Sequence, residues 1–95
     1  MRLKGKLREL KKRKVAQSRA DINIGKNGIH PGLIEEIRRR LEAEGAIKIR
    51  ILKNARQKVS EEDIKKLADE VGAIIIDHRG YTFILAKRSL RSAKR

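Results

Sequence analysis

The sequence of 95 residues contains no cysteine and no tryptophan, and it has one proline, one tyrosine and one phenylalanine. Without cysteine it can form neither a disulfide nor a thiolate metal site. The two histidines, His30 and His78, are not spaced as a metal-binding pair. No apolar run approaches the length of a transmembrane helix. We therefore expect one soluble cytoplasmic domain with no metal, no cofactor and no membrane partner.

Catalytic constellations are also missing. The acidic clusters Glu35-Glu36 and Glu61 to Asp63 are predicted to lie in the first turns of helices, where the helix dipole favours negative charge. No serine or lysine has a visible partner suited to nucleophilic catalysis. The sequence therefore predicts a protein that is not an enzyme, with no catalytic residues and no small-molecule substrate.

Positive charge is the most prominent feature that is present. Lysine and arginine number 26 against 12 aspartate and glutamate residues, which gives a net charge of +14. The excess lies in residues 1–20, 46–60 and 73–95, whereas 21–45 and 61–72 are slightly acidic. Such a charge repels itself unless a polyanion relieves it, and nucleic acid is the commonest polyanionic partner. The alternative is the charged surface of a heat-adapted protein, which explains many charges but not the excess of one sign.

Apolar spacing and turn residues predict the order α-β-α-β-α-β-β. The predicted elements are a helix over 3–15 with Leu3, Leu7 and Leu10 on one face, a strand over 20–24, a helix from Pro31 to Gly45, a strand over 46–52, a helix between Ser60 and Gly72, and a hairpin of the apolar runs 73–77 and 81–86. Ser60 and Asp63 resemble a capping box. Residues 89–95 follow as a basic tail without a pattern, so the domain is expected to span 1–88.

The layering follows from which faces are apolar. In the strand over 46–52, Ile47, Ile49 and Ile51 alternate with Lys48 and Arg50, so one face is buried and the other is basic. The hairpin strands are apolar throughout and need cover on both faces. Right-handed crossovers place the second and third helices on one face, which leaves the first helix for the other. The two aromatic residues, Tyr81 and Phe83, lie on one face of the last strand, as base-stacking pairs do in sheet-type RNA binders, but packing in the core is the favoured prediction.

The stretch "IGKNGI" contains the turn Gly25-Lys26-Asn27-Gly28 between a strand and a helix. Backbone N–H groups and the helix dipole at such a junction attract anions, and glycine lets a sugar-phosphate come close. A plain strand-to-helix turn would show the same four letters. The spacing fits neither a Walker loop nor a dinucleotide fingerprint.

Four stretches, "GKNGI", "RRRLEAEGAIKIRIL", "LADEVGAIII" and "GYTFILAKR", resemble the CRM domain, named for chloroplast RNA splicing and ribosome maturation, and above all its small stand-alone members of the YhbY type. The resemblance implies an α/β domain of the α+β type with a four-stranded mixed sheet, similar to the C-terminal domain of translation initiation factor three. It also implies RNA binding through a GxxG loop and an association with large-subunit ribosome precursors. His30 replaces the Ser or Thr cap of many members, and Ala86-Lys87 replaces Tyr-Arg.

We therefore expect a monomeric RNA-binding protein that engages structured RNA, in particular ribosomal RNA during assembly of the large subunit. The residues predicted to contact RNA are Gly25, Lys26, Asn27, Gly28, Lys48, Arg50, Lys53, Arg56 and Lys58, with added charge from Lys11, Lys12, Arg13, Lys14, Arg19, Lys87 and Arg88. The alternatives are a general binder that also takes duplex DNA and a ribosome-associated scaffold that acts by protein–protein contact. A membrane-surface role is disfavoured because three leucines anchor too weakly.

Overall fold

The computed structural model describes residues 5–91, and the predictions made for Leu3 and for residues 92–95 lie outside this range. Within it the chain forms α1 (Gly5–Ala16), β1 (Ile22–Ile24), α2 (Pro31–Glu44), β2 (Ala46–Ile51), a 3-10 helix (Lys53–Ala55), α3 (Glu61–Glu70), β3 (Ala73–Arg79), β4 (Thr82–Lys87) and α4 (Arg88–Arg91). The predicted order of helices and strands is confirmed, with the 3-10 helix and α4 as additions.

The four strands form one mixed sheet in the order β1-β2-β4-β3. Strand β1 runs parallel to β2, whereas β4 runs antiparallel to both of its neighbours. Ile24 pairs with Ile51, and Arg50 pairs with Thr82. The ends of β1 and β2 and the start of β4 therefore lie at the same end of the sheet, which is called the loop end below. The register of Ala46 with Ala86 marks the opposite end.

Two hydrophobic cores cover the sheet, one on each face. The larger core joins α2 and α3 to the isoleucines of β1 and β2 and to Phe83 and Leu85. The smaller core joins Leu7 and Leu10 of α1 to Ala46, Ile84 and Ala86. The predicted layering is therefore confirmed. Because β2 alternates, its basic residues Lys48 and Arg50 share the face that α1 only partly covers.

The helix termini explain how short connections fit between these layers. Gly45 ends α2 in the left-handed conformation, with φ of 85°, and its N–H bonds to the carbonyl of Leu41. Ser60 and Asp63 form the predicted capping box at the start of α3. Each end therefore satisfies backbone groups that the helix leaves unpaired. The basic segment after β2, for which no helix was predicted, begins with the 3-10 helix, because Ala55 and Val59 are buried and fix this segment to the core.

Two expectations about the C-terminal part were wrong. Tyr81 is 47% exposed rather than packed in the core. The reason is that β3 continues to Arg79 and β4 begins at Thr82, so Tyr81 belongs to the turn beyond the sheet. The segment after β4 is not without pattern, because α4 begins it and Leu90 packs against the smaller core.

Candidate nucleic-acid interface

The glycine loop, residues Gly25 to Gly28, closes with a hydrogen bond from the N–H of Gly28 to the carbonyl of Gly25 at 2.9 Å. Gly28 has φ of 65°, a conformation that favours glycine. Gly25 does not have a positive φ, and a Cβ there would meet only Leu52 Cδ1 at 3.9 Å and Asn54 Oδ1 at 4.0 Å. The turn therefore explains the glycine at 28, whereas neither backbone nor packing requires the one at 25.

The start of α2 lies directly after the glycine loop. His30 caps the helix, because its Nδ1 accepts a hydrogen bond from the N–H of Leu33 at 3.2 Å. His30 is thus the N-cap residue of α2. Pro31 has no N–H, and the N–H of Leu33 donates to His30. Among the first three residues of α2, therefore, only Gly32 has an N–H group available to bind an anion. The loop and its lysines must supply the other donors.

Basic side chains surround the glycine loop. Lys58 Nζ donates to the carbonyl of Lys26 at 2.8 Å, which holds the segment after the 3-10 helix against the loop. Lys26, Lys53 and Lys58 are exposed at the loop end, as is Arg50 at the end of β2. Within residues 5–91, none of these four, nor Arg56, has a carboxylate oxygen within 4.0 Å. Their charge is therefore not neutralised by an ion pair.

A second basic surface lies where the C-terminal part of α1 crosses the sheet. A cleft of about 220 Å³ is lined by Lys48, Arg50 and Arg79, together with apolar and hydroxyl side chains and Asp77. Lys48 is half-buried, and its ammonium donates to the carbonyl of Gln17. This surface continues the charge of the loop end through Arg50. The predicted residues on α1 and its following turn have different surroundings: Lys12, Arg13 and Arg19 are exposed, and Lys11 is half-buried 3.8 Å from Asp77.

Lys14, which was expected to add surface charge for RNA binding, is buried instead. Its side chain is 4% exposed, and Nζ lies 2.7 Å from Asp21 Oδ2 and 2.8 Å from Glu44 Oε1. Burial alone would lower the pKa of Lys14, but the hydrogen bonds to Asp21 and Glu44 outweigh it and raise that pKa. Burial likewise opposes the lowered pKa of Asp21, which the hydrogen bonds from Lys14 and the Lys48 N–H produce. Lys14 therefore ties α1 to β1 and α2.

Lys87 and Arg88 are also not part of the surface around the loop. They lie at the opposite end of the sheet, one β2 length away from the glycine loop. Lys87 Nζ is 3.2 Å from Glu42, and Arg88 is 3.3 Å from Asp69. A strand of six residues spans about 20 Å, so these cations cannot share a phosphate with Lys26.

Acidic residues mark the side of the loop end nearest α3. Glu61, Glu62 and Asp63 occupy the first turn of that helix, as predicted. The backbone N–H and the hydroxyl of Ser60 lower the pKa of Asp63. The first turn of α2, in contrast, holds no acidic residue, so the expectation for Glu35 and Glu36 was wrong. Three carboxylates thus lie at the start of α3, and one of them, Asp63, lines the cavity beside Asn27 and Gly28 together with Lys58.

Reasoning from the sequence missed the exposed position of Tyr81 beside Arg56 and the position of Arg79. Tyr81 lies under the guanidinium of Arg56, whose Cζ is 4.0 Å from the ring centre. Arg79 lies at the end of β3, 3.2 Å from Asp77, and it lines the cleft beside α1. Tyr81 and Arg79 both lie near the glycine loop, because the hairpin turn between β3 and β4 is at the same end of the sheet. The spacing of Lys14 from Leu7 and Leu10, at i+7 and i+4, also placed it on the buried face of α1.

Two kinds of site are not found in the described part of the chain. Residues 5–91 hold no group of three or more His, Cys, Asp or Glu side chains placed to bind a metal ion. Over the same range, every helix is too short or too polar to cross a membrane.

The fold and this surface define a small α+β domain with a basic, glycine-containing loop at one end of a mixed sheet. The family model of the CRS1 / YhbY (CRM) domain matches residues 3–87, and the chain therefore belongs to that family. The resemblance noted in the sequence is confirmed.

The fold is also similar to the solution structure of the protein SAV1595 from Staphylococcus aureus, described as hypothetical and as a candidate RNA-binding protein. The TM-score is 0.57 at 24% sequence identity, over 84% of this chain and 81% of the other. No curated protein matches the sequence.

Proposed function

We propose that the protein binds structured RNA, with the loop end of its sheet facing the RNA backbone. The observation that carries this proposal is that Lys58 is hydrogen-bonded to the glycine loop beside the exposed Lys26, while Arg50, Lys53 and Arg56 lie in the chain segment that leads to Lys58. None of these five residues is in an ion pair within residues 5–91. Lys87 and Arg88, at the opposite end of the sheet, are in contrast paired with Glu42 and Asp69. Membership of the CRM family supports RNA as the polyanion.

Each part of the surface has a distinct role in this proposal. Gly25 lets a sugar-phosphate approach the backbone, since nothing in the protein itself requires glycine there. Lys26 and Lys58 contact the phosphates beside the loop, and Asn27 supplies a further donor. Arg50 and Lys48 extend the track toward α1, where Lys12, Arg13 and Arg19 add charge that is not sequence-specific.

The natural target that we propose is ribosomal RNA in a precursor of the large subunit, because this is what resemblance to the stand-alone CRM proteins implies. The protein would act in the cytoplasm as a monomer, by binding rather than by catalysis. Residues 1–88 would form the binding domain, and 89–95 a basic extension. Few aromatic residues and many cations favour recognition of RNA shape and phosphates over extended base sequence.

Fluorescence anisotropy with a structured ribosomal RNA fragment across a salt series tests the proposal. Each phosphate contact adds roughly 0.7 to 0.9 to the log–log salt slope, so Lys26→Ala and Lys58→Ala should each flatten it by about one contact. Lys87→Ala is the matched control, because it removes the same charge at the opposite end. If all three variants change the slope equally, the loop end is not the RNA-binding surface.

Gly25→Ala tests close approach at the loop. The added Cβ finds only ordinary contacts in the protein, so the fold should be unchanged while RNA affinity falls. Wild-type affinity with Gly25→Ala would mean that the glycine loop is only a turn.

Competition experiments separate the finer alternatives. Duplex DNA that competes as well as structured RNA would favour a general nucleic-acid binder. Transcripts from large-subunit and small-subunit ribosomal RNA that bind equally would argue against a specific role in large-subunit assembly.

A further inference from the structure

Tyr81 is the only large apolar side chain that is exposed within residues 5–91. It lies in the short turn between β3 and β4, and its carbonyl accepts a hydrogen bond from the N–H of Ile51 at 2.8 Å. The backbone of Tyr81 is therefore fixed against the end of β2. The ring is outside both hydrophobic cores, so packing does not explain an aromatic residue here.

Arg56 supports one side of this ring. Its guanidinium carbon is 4.0 Å from the ring centre, close enough for a cation–π interaction. The Nε atom of Arg56 is buried and has no hydrogen-bond partner among the described residues. Stacking, and not an ion pair, thus holds the guanidinium in place. Arg56 thus covers one face of the ring, and Tyr81 as a whole residue is 47% exposed.

The chemistry beside the ring favours a base and disfavours a phosphate. A depression of about 380 Å³ is lined by Arg56, Tyr81, Ser60, Glu61 and His78. The Glu61 carboxylate is half-exposed, 3.7 Å from His78 Nδ1. This carboxylate repels phosphate but accepts hydrogen bonds from the amino and ring N–H groups of a nucleobase. An aromatic face and a polar rim are the two features by which proteins hold unpaired bases.

The depression is also within reach of the glycine loop. Two consecutive residues at the end of β2 bond to both regions. The N–H of Ile51 donates to the carbonyl of Tyr81, and the N–H of Leu52 donates to the carbonyl of Ile24, just before the glycine loop. Tyr81 and the start of the loop therefore flank β2 on its two sides. Two strand spacings separate their backbones by about 10 Å. One RNA strand can place a phosphate on the loop and a nearby base on Tyr81.

We propose that Tyr81, backed by Arg56, is a stacking platform for one unpaired nucleobase, with Glu61 facing the edge of that base. This inference rests on the proposed RNA binding and adds that the preferred RNA has an unpaired nucleotide beside its bound backbone. The protein reads a bulge or loop next to a helix, and it binds a continuous duplex less tightly.

The test uses the single tyrosine of a chain that has no tryptophan, so its intrinsic fluorescence reports on Tyr81 alone. An RNA hairpin with an unpaired loop is compared with a continuous RNA duplex of the same number of phosphates. Stacking of a base should quench Tyr81 with the hairpin and not with the duplex. Free tyrosine amide in the same RNA solutions corrects for absorption by the RNA.

Tyr81→Leu should lower affinity for the hairpin by roughly 5- to 150-fold, as loss of one stacked base does. Its salt slope should stay at the wild-type value, because no phosphate contact is lost. Tyr81→Phe should keep most of the affinity, since it retains the ring. Arg56→Lys keeps the charge but not the flat guanidinium, and should weaken quenching without changing the slope.

The outcomes separate this inference from the proposed function. Wild-type protein that binds neither RNA would overturn both. Wild-type protein that binds hairpin and duplex equally, without quenching and with full affinity in Tyr81→Leu, would leave RNA binding in place and overturn the platform. A lower salt slope for Tyr81→Leu would also overturn it, because that result indicates a disturbed phosphate contact.

Discussion

Replacement of Lys14 by methionine tests whether the buried ion pair holds α1 to the domain. Methionine keeps the length and the apolar stem but removes the charge that contacts Asp21 and Glu44. Removing one member of a buried pair costs about 3–5 kcal/mol. Asp21 retains donors from the Lys48 N–H at 2.9 Å and from Gln17 Nε2 at 3.1 Å, and Glu44 is 39% exposed. We therefore expect a loss of about 2–3 kcal/mol in the free energy of unfolding.

A loss of this size is a large part of the stability of a small domain, which totals about 5–15 kcal/mol. Urea denaturation followed by circular dichroism measures it, and the melting temperature should fall by about 10–20 °C. Lys11→Met is the matched control on the same helix. Lys11 is 39% exposed and 3.8 Å from Asp77, so its replacement should cost less than about 0.5 kcal/mol.

Two further results decide the reasoning about Lys14. In the double variant Lys14→Met with Asp21→Asn, part of the stability should return, because no unpaired charge remains at the buried site. The RNA salt slope of folded Lys14→Met should equal that of the wild type, since Lys14 is not at the surface. Equal costs for Lys14→Met and Lys11→Met would refute the argument from burial.

Two other predictions concern pH and the loop. The pKa of Asp21 is lowered, so its stabilisation is present above the ordinary value of 3.8 and is lost as the pH falls below it. The pKa of Lys14 is raised, so its stabilisation is present below 10.5 and is lost as the pH rises above it. Urea titrations should therefore show the largest difference between wild type and Lys14→Met near neutral pH, and a constant difference from pH 3 to 11 would contradict this. Gly28→Ala should lower the free energy of unfolding by about 1–2 kcal/mol because of its left-handed backbone. Gly25→Ala should change it by less than about 0.5 kcal/mol, and thermal melts of the two variants side by side check the contrast.

The layers of the fold could be predicted because burial leaves a periodic trace in the sequence. Alternation in 46–52 identified the buried and the basic faces of β2, and handedness placed α2 and α3 together. The turn chemistry was equally visible, at Gly45 and in the capping box of Ser60 and Asp63. These features depend on local spacing, which is why they could be read without the structure.

The candidate site was harder to predict, because it depends on which chain segments meet at one end of the sheet. A lysine count cannot tell that Lys14 pairs with Glu44, 30 residues away, although its helical spacing from Leu10 indicated burial. Tyr81 was assigned to the core because the apolar run was read as one strand. One residue of turn moved the ring out to solvent, beside Arg56 from a different segment.

The direction of the helices explains why phosphate and base belong on different sides of the loop end. Both α2 and α3 begin there, so the positive ends of their dipoles point toward it. Glu61, Glu62 and Asp63 offset this field at α3, whereas no acidic residue does so in the first turn of α2. Lys26 and Lys58 add positive charge near the start of α2, and Asp63 and Glu70 line the cavity beside the glycine loop. In the proposed complex, an RNA strand would place its phosphates near the start of α2 and an uncharged base at Tyr81.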